Sequence, residues 1–244
     1  TMLNSFLINN NRDFAEMASE LLGELNASHT GCRSFAGGHN PDQTASLGAF
    51  FDESFKGNGL KISEVIEKGP LVFHGTQIKA GVVIEKINGN EITPETNYYK
   101  FLNRIAGKPT LLSLYDETTK KRWDETIKPI TYEGLNELLY QRWIKRMQKM
   151  VNTLSNGELG YMHVRGMNDP SFRTLFEEAL GKHANRESLI IDTRSNGGGW
   201  LHDDLVTFLG GKKYLDVVAR GQYLGFESQR KWVKPSAVLI GESN

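Results

Sequence analysis

Residues 189–200 read LIIDTRSNGGGW. Leu189, Ile190 and Ile191 form a short continuous apolar run, the pattern of a strand buried on both faces. Gly197, Gly198 and Gly199 then interrupt any regular element. A new apolar periodicity begins at Leu201. In an open α/β sheet, ligands sit outside the carboxyl ends of the strands. A glycine run after a strand and before a helix exposes backbone N–H groups at a positive helix terminus, where a phosphate or a developing oxyanion can be held. The phosphate signatures GxxxxGK[ST] and GxGxxG are both absent here. Three consecutive glycines exceed what one tight turn ordinarily requires. Asp192 and Arg194 flank the turn and read as a structural ion pair.

The neighbouring segments fit the same sheet. Residues 159–164 and 237–240 read as strands, and 171–183 and 201–209 as amphipathic helices. Strands alternating with helices point to βαβ units on a largely parallel sheet. Before them, 132–154 is the longest helix candidate. Leu135, Leu138, Leu139, Trp143, Met147, Met150 and Val151 make its apolar stripe. Its other face carries Arg142, Lys145, Arg146 and Lys149, which reads as a solvated basic face.

Further upstream, the texture from Ser46 to about Lys128 is strand-like. Runs at 47–51, 60–66, 82–87 and 110–115 are bounded by turn residues, and Asn88-Gly89-Asn90 is a tight-turn signal. One helix, 95–106, is expected among them, with Pro94 at its start and Gly107 at its end. This makes a small β-domain. Its bland reading is a packed β-core, and its functional reading is a groove that adds a peptide as an extra strand. At the start of the chain, Phe14, Met17, Ala18, Leu21, Leu22 and Leu25 mark one face of a helix over 12–25. It runs out into Ser28-His29. A histidine takes a proton from a nucleophile near neutral pH once something orients its ring. Alone, such a pair more often caps or solvates a loop.

Composition narrows the classes. The chain has 244 residues, with 29 Lys plus Arg against 29 Asp plus Glu, so its formal charge is zero. That balance argues against a nucleic-acid partner and against an acidic disordered chain. No apolar stretch reaches the length of a membrane span. Cys32 stands alone, which excludes an internal disulfide and a cysteine-rich metal site. The six histidines show no HxxxH or HExxH spacing, which disfavours a zinc enzyme. Glycine is in excess: 25 residues, where ordinary usage predicts about 17.

In this order, the segment ending in Ser28-His29, the β-domain and the strand–glycine-turn unit resemble the tricorn-type and tail-specific serine peptidases. The resemblance runs nearly end to end. It implies an N-terminal helical segment (1–45), a PDZ-like domain (46–129) and a ClpP/crotonase-like α/β core (130–244), an α+β and α/β fold whose core is incomplete at its C-terminus. It implies His29 as general base and Ser28 as the hydroxyl linking it to a distant glutamate. Gly198 or Gly199 would give an oxyanion-hole N–H. Asp216 corresponds to an acidic residue that reads a basic substrate side chain, and Leu47, Gly48 and Ala49 to a substrate-binding loop. The family's PDZ turn carries Asp where this chain has Val82. No cofactor and no metal are implied. The partner implied is a peptide or unfolded protein, held by its C-terminus at the PDZ-like domain. An exported bacterial location is favoured over a cytoplasmic one.

One departure outweighs these matches. In the family the nucleophilic serine follows the strand that here ends in Gly241-Glu242-Ser243-Asn244, a few residues past the glutamate. Ser243 comes too early, so the nucleophile and its orienting glutamate are expected beyond Asn244, and the 244 residues alone are expected to be inactive. Two other readings stay open. One is a peptide-binding PDZ scaffold with a degenerate peptidase core. The other is acyl-thioester chemistry on a related sheet, which the Ser-His pair does not favour.

Overall fold

The computed structural model describes residues 8–27, 30–35 and 42–241. Helix α1 (Asn11–Gly23) starts where the Asn10 side chain accepts from the backbone N–H groups of Arg12 and Asp13, an ordinary N-cap. None of its expected apolar face is buried: Phe14, Leu21 and Leu25 stay exposed, and the buried residue of the helix is Ala15.

Six strands then build the β-domain: β1 (Ala49–Phe51), β2 (Leu60–Val65), β3 (Val82–Ile87), β4 (Asn90–Glu91), β5 (Thr110–Asp116) and β6 (Lys121–Ile127). Their order is β1-β2-β3-β5-β6, with β4 folded back onto β3, and the pairings are antiparallel. Asn88 and Gly89, both at positive φ, form the β3–β4 turn, as the Asn-Gly pair predicts. Leu47, Ile62, Leu71, Val82, Ile84, Ile87, Leu112 and Leu114 fill the core. The expected 95–106 helix is reduced to a 3-10 helix, Tyr98–Leu102. Asn103 turns extended to bridge Thr44, and Arg104 takes φ +59. A segment rich in aromatic and Asn residues does not propagate a helix against those constraints.

Helix α2 (Tyr132–Leu154) follows, capped by the Thr131 hydroxyl. Its basic face is not simply solvated. Arg142 pairs with Glu64 at 2.6 Å and Lys145 with Glu67 at 2.7 Å, which ties the helix to β2 and the residues after it. Both pairs are half exposed, so each contributes little alone.

The rest of the chain forms a second core. Strand β7 (Leu159–His163), helix α3 (Asp169–Glu177) with a π-helical turn (Glu178–Lys182), strand β8 (Ser188–Asp192), helix α4 (His202–Leu209) and the hairpin β9 (Leu215–Ala219) with β10 (Gln222–Glu227) precede β11 (Ser236–Leu239). The sheet order is β11-β8-β7, parallel throughout. Met162, Val164, Leu175, Leu189, Ile191, Leu205, Phe208 and Trp232 pack around it. Two elements escaped sequence reading. Strand β6 is built mainly of charged residues. The β9–β10 hairpin turns at Arg220-Gly221, both at positive φ, without the Asn-Gly signature. Among the described residues, no helix is long and apolar enough to cross a membrane.

His183 ends the π-helical turn and is only 4% exposed. Neither ring nitrogen has a hydrogen-bond partner among the described residues, and Gly160 lies directly against the ring. Burial, with Lys182 and Arg186 nearby, pushes its pKa down to about 4. The folded protein therefore keeps this ring neutral while the unfolded chain protonates it below about pH 6.5. Its contribution is intact above that pH and is lost as pH falls toward 4. The loss reaches about 3 kcal/mol at the bottom of the window. Urea titrations from pH 7.5 to 4.5 should show this slope in the wild type. They should show a flatter one in His183→Phe, and equal slopes would refute the assignment.

Candidate active site

The carboxyl ends of the three parallel strands lie side by side, with His163 opposite Asp192 and Asp192 opposite Leu239. Two backbone bonds lock the chain beyond this line: Val164 N–H to the Asp192 carbonyl at 2.8 Å, and Thr193 N–H to the Leu239 carbonyl at 2.9 Å. The loop between β8 and α4 rises from this edge, where the sequence placed it.

Asn196 shapes the loop. It is 3% exposed. Its side-chain amide donates to the Val164 carbonyl at 2.8 Å, and its side-chain oxygen accepts from the Gly198 N–H at 2.9 Å. Its own N–H donates to the Thr193 carbonyl at 3.0 Å. This one side chain thus satisfies buried backbone groups on two loops. Gly198 and Gly199 sit at φ +80 and +148, and a Cβ on Gly199 would lie 2.6 Å from the Met167 Cβ. Glycine is required at both positions by backbone conformation, and at 199 also by close approach.

The two candidate oxyanion donors therefore differ. The Gly198 N–H is already spent on Asn196. The Gly199 N–H makes no hydrogen bond among the described residues. It lies just ahead of α4, whose first turn has no side-chain cap. Asp203 and Asp204 in that turn offset part of the positive end of the helix.

Beneath the turn, Asp192 is fully buried. It accepts from the Tyr161 hydroxyl at 2.7 Å, from the Arg194 backbone N–H at 3.0 Å and from Arg194 Nε at 2.9 Å. Burial alone would raise its pKa, but Arg194 and Tyr161 outweigh that and hold it at about 2. Burial and the Asp192 carboxylate push the Tyr161 phenol up. This is a structural ion pair that fixes where β8 gives way to the loop.

Beside it lies a cavity of about 490 Å³ lined by Tyr140, Trp143, His163, Arg165, Arg194 and Ser195. His163 Nε2 is 3.0 Å from the Arg194 carbonyl. That oxygen can only accept, so Nε2 carries the proton. Nδ1 then accepts from the Tyr140 hydroxyl at 2.9 Å. Trp143 stands edge-on to the His163 ring at 4.9 Å. No partner for His163 is visible in the sequence because its partners are 23 and 31 residues away.

The remaining sequence candidates are scattered. Ser28 and His29 lie outside the described residues. Asp216 sits on β9, half exposed, with its carboxylate on Lys213 at 2.5 Å. A basic substrate group would have to displace that lysine. Leu47, Gly48 and Ala49 lead into β1, an edge strand of the β-domain sheet. Leu47 is buried, and Gly48 takes φ +70 with its would-be Cβ against Pro70. The Gly48 N–H donates to the Ser46 hydroxyl at 3.1 Å. The Leu47 N–H makes no hydrogen bond among the described residues. A groove of about 730 Å³ runs alongside, lined among others by Leu47, Ala49, Phe51, Ile92, Tyr98 and Leu102.

Two family models match separate stretches of the chain. The model of the tricorn protease PDZ domain matches residues 58–131, and that of peptidase family S41 matches residues 158–244. The chain is 27% identical over 194 residues to tricorn protease homolog 1 of Streptomyces coelicolor, covering 77% of this chain and 18% of that protein. It is 25% identical over 242 residues to a Sulfurisphaera tokodaii protein described as a tricorn-like protease C-terminal subunit, covering 95% of this chain and 27% of that one. The chain thus spans about a fifth to a quarter of these relatives. The crystal structure of the tricorn protease superposes with a TM-score of 0.73 at 20% identity, over 91% of this chain and 22% of the other. That similarity shows the shared fold.

Proposed function

We propose, from the match of two stretches to the tricorn protease PDZ domain and to peptidase family S41, that this chain is of the tricorn and tail-specific serine peptidase type and forms part of the hydrolytic centre of a serine endopeptidase acting on peptides or unfolded proteins. The observation that carries this reading is the unspent Gly199 N–H on a turn held open by Asn196. His29 is the general base and Ser28 orients it. A serine hydroxyl of the full-length protein gives its proton to His29 as its oxygen attacks the peptide carbonyl. The carbonyl oxygen becomes an oxyanion and accepts from the Gly199 N–H. Collapse expels the amine, which takes the proton back from His29. Water then cleaves the acyl-enzyme by the same route.

In the same reading, residues 46–129 and 130–244 are separate units. The PDZ-like unit holds the substrate by its C-terminus, with the Leu47 N–H donating to the terminal carboxylate and β1 pairing with the peptide. Gly48 shapes this loop and Ala49 opens the pairing edge. A fluorophosphonate, which esterifies activated serines, tests the catalytic part. The full-length protein should be labelled on one serine at a rate that falls in His29→Ala. Peptide binding without any labelling would instead favour a non-catalytic PDZ scaffold.

A further inference from the structure

The cavity beside the glycine turn is asymmetric in hydrogen-bonding capacity. Its carboxylate and imidazole acceptors are filled. Both Asp192 oxygens take bonds from Arg194 and Tyr161. At the rim, Glu137 accepts from Gln141 on one oxygen and from Arg165 on the other. Both His163 nitrogens are committed, and the Arg194 carbonyl is bonded to one of them.

Its donors are not filled. Arg165 uses only Nη1, on Glu137, which leaves Nε and Nη2. Arg194 uses Nε and Nη2, on Asp192, which leaves Nη1. Both guanidiniums are held in place. Arg165 lies over the Tyr140 ring at 4.2 Å, and Arg194 faces Trp143 at 6.0 Å. Two oriented guanidinium edges beside aromatic walls match an acceptor-only, flat, charged group, and a carboxylate is that group. A phosphate fits less well, because the arginines are already half neutralised by Glu137 and Asp192. A second cavity of about 270 Å³ shares Tyr140, His163 and Arg165, so there is room for the chain that carries the acid. Ser195, one wall of the site, directly precedes Asn196, the residue that shapes the glycine turn.

We propose that this cavity is a carboxylate subsite of the peptide substrate, with Arg165 and Arg194 as its specificity-determining residues. The assignment rests on the peptidase reading above and adds the acid preference to it. The carboxylate comes either from an Asp or Glu side chain or from the C-terminus of a short product-length peptide.

Equilibrium binding to the full chain, followed by tryptophan fluorescence and calorimetry, tests this without turnover. Three peptides of one sequence are compared: a free acid, its C-terminal amide, and an amide with one residue changed to Glu. The free acid or the Glu amide should bind ~10- to 100-fold more tightly than the plain amide, the range of a charge-assisted bidentate contact. Which of the two does so identifies the source. Arg165→Gln keeps a donor for Glu137 and should abolish the difference. Arg194→Lys keeps a cation for Asp192 and should reduce it, with a lower Tm because one ammonium replaces the paired Nε and Nη2 bonds. A free-acid preference that survives Arg165→Gln belongs to the PDZ-like loop and overturns the proposal. Equal binding of all three peptides also overturns it. If fluorophosphonate labelling succeeds and the acid preference is absent, this assignment falls alone. If labelling fails and the preference stands, the catalytic reading falls and the subsite remains.

Discussion

Gly199→Ala in the full-length protein is expected to lower kcat by ~10²- to 10³-fold, the usual consequence of losing one oxyanion donor. The methyl group lands 2.6 Å from the Met167 Cβ and 3.1 Å from its carbonyl oxygen, on a residue at φ +148. The turn must shift to accept it, and the Gly199 N–H, which makes no hydrogen bond among the described residues, moves with it. The neighbouring glycines serve as internal controls. Gly197 has open space around it and no positive φ, so Gly197→Ala should leave kcat unchanged. Gly198 also has open space, but it sits at φ +80, so Gly198→Ala should cost about 1–2 kcal/mol of backbone strain with a smaller effect on rate. Peptide turnover and Tm of the three variants check the ordering. If Gly198→Ala proved the most damaging to kcat at unchanged Tm, the donor would be Gly198 and the Asn196 bond would have to open during the reaction.

The features legible in sequence are those that local physics sets. The apolar run at Leu189–Ile191, the glycines that end it and the stripe of α2 are patterns within one element. They predicted the parallel strands and the position of the turn. The features that were hidden depend on partners far along the chain. Strand β6 carries Lys121, Arg122, Asp124 and Glu125, and only its ladder with β5 makes it a strand. The 95–106 segment has helix-compatible punctuation, yet the bridge from Thr44 to Asn103 cuts it short. The basic face of α2 looks solvated until β2 supplies Glu64 and the following turn supplies Glu67.

The site divides along the same line. Asp192 and Arg194 are two residues apart, so their pairing could be read directly. Tyr161 reaches Asp192 across 31 residues, and nothing near Tyr161 in the sequence announces it. Which glycine offers a free N–H was equally hidden, because the answer depends on the side-chain rotamer of Asn196. A useful signal was present all the same. An Asn directly before a glycine run can accept from the N–H two residues on, and here it does so at Gly198.

His29→Ala is the second large effect expected, a loss of ~10²- to 10⁴-fold in kcat/KM for the full-length protein. In the proposed role His29 acts in both acylation and deacylation, so kcat should fall along with kcat/KM while peptide binding persists. The acid limb of the kcat/KM profile reports the essential base in the free enzyme and should disappear in the variant. Ser28→Ala should cost less, because an imidazole that is poorly oriented still accepts a proton part of the time. The double variant separates the two roles. The oxyanion stabilisation proposed for Gly199 does not require the base, and in serine peptidases a residual acceleration survives loss of the catalytic base for that reason. Adding Gly199→Ala to His29→Ala should therefore reduce the remaining rate further. A double variant no slower than His29→Ala would mean that Gly199 acts only by positioning His29, and the oxyanion assignment would be lost.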